Sequence, residues 1–299
     1  MKTVSKRRGN PKQNRQIVQA LWITFFGNLT LAGLKFAVSR LSASSVLYSD
    51  AMNSISDVVY SLMIIFGMMI AIQPPDRSHP QGHSRFEPLI AVVISLSMTS
   101  AAILAFLNAV HQLQYGVEPF EIGLPLAALI ASILIKGIMY LLIRKIALSV
   151  DSTTLKAAAA DNLADSVTSI GAVIAIGLTR FGLTYADPIA AILGSIWIFR
   201  SVFGLITENL GFLTGAGIND AEREEIYQTA MSIPGVLDVH QIIGEHIGSK
   251  HVLDLHINVD GEMKLREVHA IESKLSAALR NADASIERVY IHVEPPEYH

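Results

Sequence analysis

The sequence predicts an α-helical polytopic membrane domain of six transmembrane helices, followed by a small α+β cytoplasmic domain in the order α-β-β-α-β. Three observations predict it. First, 51% of the 299 residues are hydrophobic and only 16% are charged, against roughly 25% charged in a soluble domain. Second, the apolar residues gather into six stretches, approximately 17–39, 46–72, 87–113, 122–146, 154–180 and 186–211. Each is near the ~20 residues that cross a bilayer. Third, the charge is divided. From Thr214 onward 7 Lys and Arg face 15 Asp and Glu, a net of −8, which leaves the preceding part at +5 in a chain of −3. The expected domains are a basic cytoplasmic amino terminus over 1–16, a transmembrane domain over 17–212 and a cytoplasmic carboxy-terminal domain over 213–299.

The elements follow in order. Lys2, Lys6, Arg7, Arg8, Lys12 and Arg15 precede the first stretch. That stretch is too long for a signal peptide, and no small-residue cleavage site closes it. The third stretch has no Asp, Glu, Lys or Arg between Glu87 and Glu118. Orientation follows the positive charges. The amino terminus, the 73–86 loop with Arg77 and Arg85, and the 144–156 connection with Arg144 and Lys145 fall on one side, while the 114–121 loop has no Lys or Arg. Arg40 and Arg180 stand alone on the other side. The expectation is a multi-pass protein of the cell membrane, in contact with the lipid bilayer, with both termini in the cytoplasm.

After the sixth stretch, 213–219 reads as a connector, and Asn219 or Asp220 can cap a helix over 220–232. Pro234-Gly235 breaks the chain. Strands follow over 236–247 and 251–259 with Gly248-Ser249 between them, and the second alternates through Val252, Leu253, Asp254, Leu255, His256 and Ile257. A helix over 264–280 and a strand over 286–294 complete a small sheet with helices on one face. The chain has no cysteine, so any metal must be held by oxygen or nitrogen. No nucleophile–base pair, phosphate loop or cofactor fingerprint is present, which argues against an enzyme. The acidic carboxy-terminal domain lacks the basic footprint that nucleic acid needs.

Three carboxylates lie at bilayer depth. Asn53 and Asp57 are four residues apart on the second stretch, with Asp50 one heptad before Asp57, and Asp161 and Asp165 are four apart on the fifth. Residues at i and i+4 project from one face. A charged side chain there costs roughly 2.5–3.5 kcal/mol on insertion scales, and such residues mark ion or proton paths. Two helices that each offer two oxygen-bearing groups can close a four-ligand site. An Asn carbonyl and three carboxylates form a hard donor set that suits Mn²⁺, whereas Zn²⁺ is more often held with some nitrogen or sulfur. Alternatively these groups only join helices by hydrogen bonds, a task that Ser, Thr and Asn perform at lower cost. Asp50, near the helix end, is left outside the ligand set. The small run Ala157–Ala160 would let the fifth and second helices approach closely.

With Ser49-Asp50-Ala51-Met52-Asn53-Ser54-Ile55-Ser56-Asp57 and Asp161-x-x-x-Asp165 in place, the chain resembles the cation diffusion facilitators, a family of divalent-metal/proton antiporters, over essentially its whole length. The resemblance places the transported ion on Asn53, Asp57, Asp161 and Asp165. Zinc-transporting members read His-x-x-x-Asp on the fifth helix. The absence of histidine here resembles the manganese-exporting branch, with Zn²⁺, Fe²⁺, Co²⁺ or Cd²⁺ as the alternative substrates and a membrane-anchored metal sensor as a reading of another class. The family is dimeric, so a homodimer is implied. Protons are the implied counter-substrate: they compete for the clustered carboxylates, which titrate as a group. No catalytic cofactor is expected, and Mn²⁺ is the expected bound metal, with Zn²⁺ as the alternative.

The resemblance also implies further metal sites. In the 73–87 loop, Asp76, His79 and His83 match the family's loop ligands. The other reading of these residues is a rigid turn, since Pro80 argues against a helical His79–His83 spacing. Arg85 or Glu87 is a candidate for an inter-subunit or inter-domain ion pair, with Glu208 as partner. In the carboxy-terminal domain the resemblance maps His240, His256, His269, His292 and Glu294 to metal. His251 and His299 read as solvated, and His111 as interfacial. Asn28 is assigned no metal, nor are Lys35, Lys136 and Arg200, which are read as snorkelling or pairing at the interface.

Overall fold

The computed structural model describes residues 11–42, 45–116, 123–179, 181–183, 185–248, 250–283 and 285–296, without the side chains of 42–50 and 179. Lys2, Lys6, Arg7, Arg8, Glu118, Arg180, Ser249, His299 and the Asp50 side chain therefore lie outside the described residues. The chain divides into two compact units, Met1–Asn209 and Leu210–His299.

The first unit is helical: α1 (Pro11–Ser42), α2 (Ser45–Ala71), α3 (Phe86–Tyr115), α4 (Leu124–Val150), α5 (Thr153–Thr179) and α6 (Ala186–Thr214). Pro11 opens α1, where a missing N–H costs nothing. Among the described residues, five helices are long and apolar enough to cross a membrane, and α5 is not one of them. Lys156, Asp161, Asn162 and Asp165 lower its apolarity although it is as long as α4. Leu134, Leu141, Leu193 and Phe203 stand exposed on the outer faces. An apolar surface of that kind is stable in lipid and costly in water.

The interior of this unit is built from Leu21 of α1, Ile64 and Met68 of α2, Ile94 and Met98 of α3, Met139 and Ile143 of α4, and Leu155 of α5. Ala157, Ala158 and Ala159 are buried. They bring α5 against α3 and α4, and the expected close packing of α5 on α2 is not what these small residues achieve. The helix α2 packs on α1 and α3 instead. Any site shared by α2 and α5 must therefore bridge a space that α4 also borders.

The second unit contains α7 (Asp220–Met231), β1 (Asp238–Ile247), β2 (Lys250–Asn258), α8 (Leu265–Ala282) and β3 (Ile286–Glu294). The sheet order is β1-β2-β3. β1 and β2 are antiparallel, and Gly248, directly after β1, has a φ of 67° that suits glycine. β2 and β3 are parallel, so α8 supplies the crossover that parallel pairing requires. Leu253, Leu255 and Ile257 of β2 meet Ile271, Leu275 and Leu279 of α8 in the core. The i, i+4, i+8 spacing of the helix and the period of two in the strand place both sets on facing surfaces.

Asn219 caps α7 with a reciprocal pair. Its side chain accepts from the Glu222 N–H at 2.9 Å, and its own N–H donates to Glu222 Oε2 at 2.9 Å. Asn219→Ala is expected to lower the local stability of α7 by about 1 kcal/mol. Hydrogen exchange of the first-turn amides in the full chain measures it, and unchanged protection would contradict the capping role.

Candidate functional site

On α2, Asn53 is exposed and Asp57 half-buried one turn later; on α5, Asp161 and Asp165 are both half-buried. A side chain from α4 joins them. Lys136 is only 5% exposed. Its Nζ lies 2.7 Å from Asp165 Oδ2 and 3.6 Å from Asp57 Oδ2. Asp161 is close enough to interact electrostatically with Asp165, Lys136 and Asp57. The structure thus brings Asp57 and Asp165 together around an ammonium, and the three carboxylates do not close into a tight cage by themselves.

Lys136 is therefore not the interfacial, snorkelling residue expected from the sequence. It lies twelve residues after Leu124 and fourteen before Val150, so about 18–21 Å of helix separates it from either end. No lysine side chain spans that distance. That distance from both helix ends is the signal in the sequence that marks Lys136 as an interior residue.

Asn28 of α1 also belongs to the surroundings of the site. Its Nδ2 donates to Ser61 Oγ at 2.8 Å and to the Asp57 carbonyl at 3.5 Å, and Ser61 Oγ donates to the same carbonyl at 2.7 Å. Two donors from α1 and α2 brace the backbone that carries Asp57. On α5, Asn162 Nδ2 donates to the Ala158 carbonyl at 2.7 Å.

The loop trio converges without a helix. The Gly82 N–H donates to the His79 carbonyl at 3.0 Å. This closes a turn with Pro80 at its second position, where proline is favoured, so Pro80 helps to bring the histidines together. The His79 N–H donates to Asp76 Oδ1 at 2.6 Å, His83 Nε2 lies 3.6 Å from Asp76 Oδ2, and the two imidazole rings are 4.5 Å apart. Phe86 packs on both rings. The backbone N–H of His79 holds the Asp76 carboxyl below its ordinary range, aided by Ser78 and the two histidines. A depressed carboxylate stabilises above its unfolded pKa of about 3.9 and stops doing so only as pH falls through the lower folded value. The turn keeps its anion throughout the neutral range.

Glu87, beyond the loop, is buried. It accepts a hydrogen bond from Ser152 Oγ, and Thr154 Oγ1 donates to its carbonyl at 2.8 Å. These contacts tie the end of the loop to the start of α5.

The second unit forms another cluster on the open face of the sheet. The register of β1 against β2 slips between Val239 and Gln241. His240 is the extra residue, and a bulge of this kind re-aims a side chain. Its ring lies 5.6 Å from that of His256, and its Nε2 lies 3.5 Å from Glu294 Oε2. His240 Nδ1 is 3.0 Å from Asn258 Oδ1. His292, paired in register with His256, has its Nε2 2.8 Å from Glu294 Oε1.

Among the described residues, two groups of three hold donor atoms within 4.8 Å of one another: Asp76, His79 and His83, and His240, His256 and Glu294. His269 does not reach the second group within the chain. It stands 77% exposed on α8, 3.4 Å from Glu272 one turn on. His251 is not a solvated residue: it is buried, with its ring 4.3 Å from that of His246 and its Nδ1 3.8 Å from Asp283.

The sequence model of the cation efflux transmembrane domain matches residues 21–214. The chain belongs to the cation efflux family. The family's cytoplasmic domain matches residues 218–296. An uncharacterized transporter of Methanocaldococcus jannaschii is 31% identical over 281 residues, covering 94% of this chain and 99% of its own. The manganese efflux system protein MneS of Bacillus subtilis is 28% identical over 270 residues, covering 90% and 92%. The cation-efflux pump FieF of Shewanella oneidensis is 26% identical over 273 residues, covering 89% and 92%. As a cation efflux protein the chain is a membrane transporter of divalent metal cations and not an enzyme.

Proposed function

We propose that this chain is a Mn²⁺/H⁺ antiporter that exports metal from the cytoplasm. The observation that carries the reading is the donor set on α2 and α5. Asn53, Asp57, Asp161 and Asp165 offer only oxygen, with no imidazole or thiolate among them. Hard divalent ions suit such a set, and geometry rather than raw affinity selects among first-row metals. The manganese efflux of the relative MneS supports the same branch.

In this reading α5 crosses the membrane as a sixth span, because its 27 residues reach about 40 Å. Its charges face the protein interior rather than lipid. The carboxylates take metal from the cytoplasmic side, and the bundle rocks to face outward, as alternating access requires around a fixed site. Protons then compete for the carboxylates and expel the ion. The termini are cytoplasmic, the membrane is the cell membrane, and the working form is a homodimer. The Asp76 loop and the His240–His256–Glu294 face bind metal as accessory sites. Neutral imidazole is a common ligand whose affinity falls with pH.

Flux into proteoliposomes under an imposed pH gradient tests the proposal, comparing Mn²⁺ with Zn²⁺ for the wild type and Asn53→His/Asp161→His. Wild-type Mn²⁺ flux should exceed Zn²⁺ flux and collapse without the gradient. The double variant should gain Zn²⁺ flux, because imidazole restores the nitrogen ligands that Zn²⁺ favours. Equal wild-type flux of the two ions would refute the manganese assignment, and flux indifferent to the pH gradient would refute antiport.

A further inference from the structure

Lys136 is no metal ligand, yet it stands between Asp57 and Asp165. We propose that the Lys136 ammonium is a tethered internal cation that competes with the transported metal for Asp57 and Asp165. It would set the affinity of the site and the ease of metal release. This inference rests on the assignment of Asp57 and Asp165 as transport ligands.

The geometry supports competition rather than coexistence. Nζ sits 2.7 Å from Asp165 Oδ2 and 3.6 Å from Asp57 Oδ2. An ion bridging those two carboxylates would need the same space. A divalent ion and an ammonium at such separations repel strongly in a water-poor interior. One of them must leave the carboxylates when the other arrives.

Charge points the same way. Three carboxylates left alone at bilayer depth repel one another and are costly to keep ionised. A fixed ammonium neutralises one of the three during the return half of the cycle, when no metal is carried. It therefore lowers the cost of releasing the ion, leaving fewer carboxylate charges for protons to neutralise.

The displaced ammonium has hydroxyl acceptors close at hand. Side chains on a helix lean toward its amino terminus, over the residue four positions earlier. For Lys136 that residue is Ser132, a buried hydroxyl with no hydrogen-bond partner among the described residues. The neighbouring Gly137 faces α5 there, since a Cβ built on it would lie in ordinary contact, 4.0 Å from Ser166 Oγ. The buried Ser166 hydroxyl also has no partner among the described residues. Two buried hydroxyls without a partner among the described residues thus stand on α4 and α5 near Lys136.

The experiment is a Mn²⁺ titration of the detergent-solubilised full chain, with free Mn²⁺ read by electron paramagnetic resonance. The proteins are the wild type, Lys136→Met, Lys136→Gln, Lys136→Arg and Asp165→Asn. The binding of interest is the component that Asp165→Asn removes. Lys136→Met and Lys136→Gln should tighten that component by about tenfold or more, because an internal competing charge is gone. In proteoliposomes both should show KM and kcat for Mn²⁺ falling together, as expected when release becomes limiting. Lys136→Arg keeps the charge and should leave the affinity close to wild type. Unchanged or weaker affinity in Met and Gln variants that melt like the wild type would overturn the inference and make Lys136 a strut between α4 and α5. Wild-type binding wholly indifferent to Asp165→Asn would instead overturn the transport-site assignment itself.

Discussion

Replacing Asp165 by Ala is expected to abolish metal flux, by at least about 100-fold, since even a residue one shell away from a metal is worth 10–100-fold. Two losses combine. A carboxylate of the proposed donor set disappears, and Lys136 loses the partner 2.7 Å from its Nζ. Among the described residues, the longer 3.6 Å approach to Asp57 is then the ion pair left to this ammonium. Because Asp165 is half-exposed while Lys136 is buried, the loss leaves the ammonium with weaker compensation and destabilises the pair's surroundings. Asp165→Asn separates the two effects, as it keeps the volume and one acceptor oxygen. It should lose flux while melting closer to the wild type. Proteoliposome flux at wild-type rates in both variants would exclude Asp165 from the transport site.

Leu255→Ala is expected to destabilise the carboxy-terminal unit by about 2–5 kcal/mol. Leu255 is fully buried on β2 and packs in the cluster formed with Ile226, Leu275 and Leu279. Small domains hold only about 5–15 kcal/mol in all. Hydrogen exchange in the solubilised full chain should show protection on β2 and β3 falling by at least about 30-fold. His240→Ala, on the opposite face of the sheet, should leave that protection intact while weakening metal binding to the unit. A variant at Leu255 with unchanged protection would mean that this cluster does not hold the sheet.

The caps and strands of the second unit follow from local chemistry, as Asn219 and the alternation along β2 illustrate. The helices of the first unit follow from apolar length, and α5 departs from that pattern because of the polar residues that make it interesting. The loop was less legible. Proline suggests a break in helical spacing, yet a turn through Pro80 brings His79 and His83 together by another route. His240 was legible as a residue but not as a geometry, since a one-residue slip between β1 and β2 decides which way it points.

What the sequence by itself determined is therefore everything carried by short-range periodicity: six long helices, oxygen-bearing side chains paired at i,i+4 on α2 (Asn53 and Asp57) and α5 (Asp161 and Asp165), and a strand–strand–helix–strand order after α7. The tertiary structure alone decided that α5 rests on α3 and α4 instead of α2, and that Lys136 of α4 enters between Asp57 and Asp165. The reason is physical. Spacing along one helix fixes which residues share its face. Which neighbour that face meets depends on the packing of side chains far apart in the chain, where small residues such as the buried Ala157–Ala159 permit close approach and larger ones do not.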